Sequence, residues 1–391
     1  MSGAPDQRDR TGETRHTRGG TGDAPLREGF TTGSAAAAAA KAATLCLLTG
    51  AAPETVDIPL PPDAGPDRLT IPIAACEPLP QGMRASVTKD GGDDPDATHG
   101  ATVEAEVRLD FTGESGHIMV HGGKGVGRVT LPGLPVAVGE AAINPGPRAQ
   151  IAAAVGEALA TAPGPAPAAQ VTVSVPEGER IAAKTLNPRL GIVGGVSILG
   201  TRGTVRPFSH EAWEATIRQG LNVAKAAGCG TVGLATGRRT ERLLMARRPD
   251  LPALACIQAA DFYGLALREA AARGFRAAVW SCFFGKLVKM AQGHFYTHAA
   301  TAPIDFDLLA QWCCAPLDGP GVDHATAHAI AGANTARQVL DILHAEASPV
   351  RDAALGTVAR HAARLGRTWA GDHMALSYYL FDFDGNLLAA L

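Results

Sequence analysis

Three stretches of this sequence carry residue types suited to chemistry on an anionic ligand. "RIAAKTLNPRLGIVGGVSILGTRGTVR" runs from Arg180 to Arg206 and holds Arg180, Lys184, Arg189, Arg202 and Arg206 without one Asp or Glu. Such a strip can form charge-assisted hydrogen bonds to the oxygens of a polyanionic small molecule. Glycines 191, 194, 195, 200 and 203 lie among the cations, and a residue without a Cβ lets backbone come close to a ligand. A basic linker between domains is the alternative reading. The second stretch is Thr31, Thr32, Gly33 and Ser34, at the front of an alanine-rich run. Hydroxyls and free N–H groups at a positive helix end are a ready site for a carboxylate. The third, "VTKDGGDDPDATHGA", crowds Asp90, Asp93, Asp94 and Asp96 together. Carboxylates this close repel one another and call for a nearby cation. A solvated turn between two strands fits them equally well. The twelfth position from Asp90 is Ala101, where a calcium loop needs a bidentate Glu.

Other motifs fail on spacing. "HGGKGVGR" does not match the phosphate-binding GxxxxGK[ST], and no GxGxxG stands between a strand and a helix. "YLFDFDGNLL" resembles the start of a phosphatase domain but has only a few residues after it, so a strand with an Asp-Gly turn is expected. His117/His121 and His294/His298 are HxxxH pairs without the Glu of HExxH, and no protein-bound metal is expected from them. The seven cysteines show no CxxC spacing, which argues against a disulfide framework and a structural zinc site, and fits a reducing cytoplasm.

These residues need elements to hold them. Residues 34–48 form an alanine-rich segment of high helix propensity, with N-cap candidates before it and Gly50 and Pro53 after it. Short β-type runs follow from Thr55 to Leu131, and "ATVEAEVRLD" alternates Val103, Ala105, Val107 and Leu109 with polar residues. A helix over about 148–160 and the strand "VTVSV" complete an α+β arrangement over 26–188. Beyond Arg189 the pattern becomes helix, strand, helix, strand, with Cys229, Cys256 and Cys282 recurring near the strands, so 189–391 reads as an α/β domain with a Rossmann-like parallel sheet. A helical region over about 325–365 and a terminal strand are expected at its end. Residues 1–25 contain almost nothing apolar and read as a disordered tail. A formal net charge of −3 gives no general attraction to nucleic acid, and the alanine run, broken by Lys41, is no membrane anchor.

The order and wording of several motifs resemble one family. "EGFTTGSAAAAAAKAA", "VTKDGGDDPDATHGA", "INPGPR" and above all "KTLNPRLGIVGGVSILGTRGTVRPFS" are similar to the cobalt-precorrin-5B C(1)-methyltransferases of cobalamin biosynthesis, and "ATGR" at 235–238 and "GKLVKMAQG" at 285–293 continue the match. The resemblance implies transfer of the methyl group of S-adenosylmethionine to ring carbon C-1 of a corrin precursor, a polycarboxylate. Lys184, Asn187, Arg189, Arg202 and Arg206 would then clamp the acid arms, and Thr31 to Ser34 would hold a carboxylate of the macrocycle or the donor. Asp90 and Asp93 would serve in catalysis, and the donor would lie at the strand ends near Gly194, Gly195, Thr236, Gly237 and Asp261. Neither nucleic acid nor membrane is an expected partner; a homo-oligomer stays open. The competing class is a tetrapyrrole-binding escort protein with no donor site.

Overall fold

The computed structural model describes residues 26–65, 67–112 and 115–391; the tail expected at 1–25 lies outside the described residues. The chain enters on a short strand β1 (Gly29–Phe30) and helix α1 (Thr32–Thr49), then forms the hairpin β2 (Thr55–Pro59) and β3 (Arg68–Pro72). Strands β4 (Ala75–Leu79), β5 (Gly82–Thr88), β6 (Thr102–Asp110) and β7 (Ile118–Gly122) follow, then β8 (Arg128–Val129) and helix α2 (Pro145–Leu159). Next come β9 (Ala168–Ser174), the helical turn α3 (Gly178–Ala182), β10 (Ile192–Val193) and β11 (Thr204–Val205). The main sheet of this part runs β4-β5-β6-β9-β7, antiparallel except where β7 meets β9.

α1 starts and stops where its sequence says. Thr31 is the N-cap, its side chain accepting from the Ser34 N–H, and Gly50 closes the helix at φ 71° with its N–H on the Cys46 carbonyl. Ala35 to Ala40 are fully buried, as are Ala42 and Ala43. A helix apolar on every side must be covered on every side. Here α2 lies along one flank and β5 and β6 supply the floor. The alternation read in β6 holds, with Val103, Ala105 and Val107 turned into this core.

The second part begins with α4 (His210–Ala226), β12 (Thr231–Ala235), α5 (Arg238–Arg247), β13 (Cys256–Gln258), α6 (Tyr263–Ala272), β14 (Ala277–Phe283) and α7 (Phe284–Ala291). α8 (Phe306–Cys314), α9 (His324–Ala331), α10 (Ala336–Ala345) and α11 (Ser348–Ala370) come before β15 (Ala375–Phe381) and β16 (Leu387–Ala390). The sheet order is β13-β12-β14-β15-β16, parallel apart from β16. The expected terminal strand is thus a hairpin, and its Asp-Gly turn is real: the Asp382 carboxylate accepts from the Asp384 and Asn386 N–H groups. The single late helical region resolves into three helices.

The whole is a mixed α/β structure. β11 pairs with β1 and β10 with β8, so residues 192–205 are stitched to the N-terminal layers. The division expected at 188/189 therefore does not coincide with a break in strand pairing, which falls after Val205. Among the described residues no helix is long and apolar enough to cross a membrane.

The close wrapping of α1 makes a direct prediction. Ala36→Leu adds three carbons where there is no space, and it should lower unfolding free energy by about 1–3 kcal/mol in urea titrations.

Candidate active site

The entrance to α1 is built by two glycines. A Cβ on Gly29 would stand 2.3 Å from the Gly91 carbonyl carbon, and one on Gly92, at φ +64°, 2.2 Å from the Arg27 carbonyl oxygen. Only glycine at both positions lets the two chains cross. The acidic cluster locks the crossing. Asp90 holds the Arg27 guanidinium through both carboxylate oxygens, one at 2.9 Å, and its carbonyl accepts from the Phe30 N–H at 2.9 Å. The Asp93 carboxylate accepts from the Arg27 N–H at 2.7 Å, and Asp94 from the Phe208 N–H at 3.1 Å. The cation that these carboxylates call for is therefore in the chain. Asp90 and Asp93 are fasteners, which argues against the catalytic role expected of them. The Arg27 hydrogen bond, helped by the Gly92 N–H, lowers the Asp90 carboxyl to about 2, and so acidic a group is a poor proton acceptor.

The front of α1 is closed from inside as well. The Gly33 N–H donates to the Leu199 carbonyl at 3.1 Å, and the Thr31 N–H to Gly203 at 2.9 Å. Thr32 Oγ1 lies 3.2 Å from the Ser197 carbonyl and accepts from the Leu199 N–H at 3.0 Å. Ser34 Oγ donates to Gly203 at 2.8 Å and accepts from Gln150 at 3.1 Å. The Thr31 and Gly33 N–H groups and the Thr32 and Ser34 hydroxyls, expected to hold a carboxylate, bond in this structure to carbonyls of the 197–203 loop. A positive helix end attracts any oxygen, and this fold supplies its own.

Beside that closed end lies a recess of about 160 Å³, lined by Thr31, Thr32, Lys89, Asp96, Thr185 and Asn187 among others. Its floor holds an ion pair: Lys89 Nζ is 2.6 Å from Asp96. Lys89 is 1% exposed and continues the inward face of β5 after Ala85 and Val87, at a position the strand's alternation reserves for an apolar side chain. A lysine there breaks the pattern, and that break is the signal the sequence reading missed. Burial opposes the Asp96 charge, but Lys89 and two 2.7 Å hydrogen bonds from Thr98 outweigh it and hold the carboxyl below its ordinary range. Asn187 is nearly buried and donates to the Gly195 carbonyl at 3.2 Å.

The basic strip is paired by acids that lie outside it. Arg202 meets Glu211 at 3.1 Å and Arg206 meets Glu28 at 2.9 Å. Both pairs are largely exposed and worth about 0–1 kcal/mol, so a ligand carboxylate can displace the partner. Lys184 is exposed on the same strip. Arg189 differs: it pairs with Glu241 on α5, a carboxylate that is 1% exposed and also accepts from Gln258 at 2.8 Å. That arginine fastens the strip to the second sheet. Gly195 has its Cβ position 2.1 Å from the Gly125 carbonyl oxygen, so its role is a chain crossing, and Gly194 sits beside it. Both belong to the joint near β8 and β10 rather than to the strand ends where the donor was expected.

Thr236, Gly237 and Asp261 do lie at the carboxyl ends of β12 and β13. The Thr236 N–H reaches across to the Ser281 carbonyl of β14 at 3.2 Å, and nothing lies within 4 Å of a Cβ position on Gly237. The strand order reverses between β12 and β14, the place where open parallel sheets form a ligand crevice. Asp261 does not face this crevice alone, because its carboxylate binds Lys286 and accepts from Thr297 Oγ1 at 3.1 Å. Among the described residues no three His, Cys, Asp or Glu side chains are grouped to hold a metal.

The Asp90 clasp has a pH signature. A carboxyl lowered on folding adds stability above its unfolded pKa and loses it as pH falls through about 2. In Asp90→Asn the loss of urea resistance between about pH 4 and about pH 2 should be shallower than in the parent, by a small margin because solvent screens the half-exposed pair. Parallel curves would remove the clasp from the stability of the fold.

The family described as CbiD matches residues 20–207, and the CbiD C-terminal domain matches residues 296–390. A relative from Nitratidesulfovibrio vulgaris, named cobalt-precorrin-5B C(1)-methyltransferase, is 54% identical over 94% of this chain and 93% of its own. A relative of the same name from Geobacillus kaustophilus is 48% identical over 81% of this chain and 82% of its own. The crystal structure of a cobalamin biosynthesis protein from Archaeoglobus fulgidus is 28% identical, covers 67% of this chain and 78% of that one, and superposes with a TM-score of 0.37. Identity that holds over nearly the full length of both proteins places this chain in the CbiD family, that of the cobalt-precorrin-5B C(1)-methyltransferases.

Proposed function

We propose that this protein methylates C-1 of cobalt-precorrin-5B with S-adenosylmethionine, giving cobalt-precorrin-6A during corrin ring construction in the cytoplasm. The observation that carries this is the 54% identity to the named methyltransferase across 94% of the chain. In this reading the N-terminal layers hold the macrocycle and a Rossmann-like second sheet holds the donor at its switch point, near Thr236 and Gly237. Arg189 and Glu241 keep the two in register.

The chemistry asks for alignment more than for a reactive side chain. An electron-rich ring carbon attacks the methyl carbon in line, the carbon–sulfur bond breaks, and sulfur leaves with the electron pair as S-adenosylhomocysteine. The ring then loses a proton as its conjugation is restored. Lys184, Arg202 and Arg206 form an exposed cationic rim for the acid arms, and Asn187 and Lys89 wait below it in the recess. Asp96 takes the place first given to Asp90 and Asp93 as the acidic side chain nearest the substrate. Held ionised by Lys89, it orients groups in the recess and the proton passes on to water.

Anaerobic incubation with S-adenosylmethionine and cobalt-precorrin-5B should add the mass of one methyl group to the macrocycle; no gain contradicts the reading. Lys89→Met should lower kcat/KM by about 10- to 100-fold, the loss expected for one charge-assisted contact, in a protein that keeps its circular dichroism spectrum.

A further inference from the structure

Helix α7 carries two lysines one turn apart, Lys286 and Lys289, on the same face. Lys286 pairs with Asp261, and its Nζ also donates to the Thr297 carbonyl at 3.1 Å. Lys289 is 9% exposed, and its Nζ donates to that same carbonyl at 3.3 Å. Among the described residues no second carboxylate forms an ion pair with either lysine. The Thr297 carbonyl thus bridges two largely buried ammonium groups of which only Lys286 has a carboxylate partner, leaving one positive charge uncompensated.

A fold that needed only packing there would do better with methionine or leucine, because a buried unpaired charge costs several kcal/mol in desolvation. The strain on the charge is visible: burial lowers Lys289, and burial together with the like charge of Lys289 brings Lys286 to about 8. The position is also one for ligands. α7 begins where β14 ends and Asp261 lies just past β13, so the pair sits at the carboxyl ends of the parallel strands. Beside it lies a cluster of rings in which Phe262 is buried and Tyr296 and His210 reach the surface. Phe262 and Tyr296 flank Asp261 and Thr297 in sequence and meet at 5.0 Å, with His210 at 5.4 Å from Phe262 and 4.9 Å from Tyr296. Tyr296 Oη lies 3.1 Å from His210 Nε2. Excess cationic charge next to an aromatic cluster matches a carboxylate carried on a molecule with a flat ring.

We propose that Lys286 and Lys289 form a binding site for a ligand carboxylate, borne either by the amino-acid end of the methyl donor or by an acid arm of the macrocycle. The site rests on the methyltransferase reading and adds to it the group that the second sheet recognises.

The test is titration calorimetry on the full chain with three probes: S-adenosylhomocysteine, 5′-methylthioadenosine, which lacks the amino-acid carboxylate, and cobyrinic acid. In Lys289→Met one carboxylate probe should bind about 10- to 100-fold more weakly, the range for a charge-assisted hydrogen bond, while Tm stays level or rises. Weaker S-adenosylhomocysteine with unchanged methylthioadenosine identifies the donor; weaker cobyrinic acid identifies the macrocycle. Lys289→Arg should keep the affinity. Lys289→Gln, which retains a donor for Thr297, reports the same loss if the methionine variant does not fold. Unchanged binding of all three probes overturns the site. A parent protein that binds neither S-adenosylhomocysteine nor cobyrinic acid overturns the methyltransferase reading, and the site with it.

Discussion

A helix built of alanine has no polar face, and the N-terminal layers are arranged around that constraint. α1 must be covered on all sides, so α2 and the β5–β6 floor close over it and its front end is sealed by the 197–203 loop. Small side chains make the close approach possible; larger ones would hold the layers apart. Because the seal comes from residues far along the chain, the strip that carries Arg189, Arg202 and Arg206 is brought to the mouth of the helix. The recess with Lys89 and Asp96 is what remains between the sealed end and the sheet.

Much of the fold was legible because local patterns decide it. The caps of α1, the alternation in β6 and the Asp-Gly turn after β15 follow from sequence neighbours alone. The sheet orders were not, since pairing β1 with β11 joins residues some 170 positions apart in a way no local pattern records. For the site, the motifs were found, and the fold gives several of their polar groups partners within the chain. Gly195 serves a chain crossing, and Asp90, Asp93 and Thr31 to Ser34 bind backbone or Arg27, because the fold offers these groups partners that the sequence cannot place near them. Lys89 was readable in principle as a charged residue on an inward strand position.

Charge tells the same story at both candidate sites. Within its own residues the basic strip has no acid, yet in the fold Glu28, Glu211 and Glu241 answer three of its cations. Exposure then separates them: Arg202 and Arg206 can exchange their partners for a ligand, whereas Arg189 is bound to a buried carboxylate and fixes one layer to the next. At α7 the balance tips the other way, with Lys286 paired to Asp261 and Lys289 held by a carbonyl alone.

In the proposed reaction the macrocycle lies at the sealed end of α1 and the donor at the strand ends of the second sheet. Hydrogen–deuterium exchange with each ligand added alone tests this placement most directly. Cobyrinic acid should slow amide exchange in segments 89–100 and 185–206, and S-adenosylhomocysteine in 236–241, 259–264 and 284–298. A corrinoid that leaves 185–206 unchanged, or S-adenosylhomocysteine that leaves 236–241 unchanged, would contradict the account.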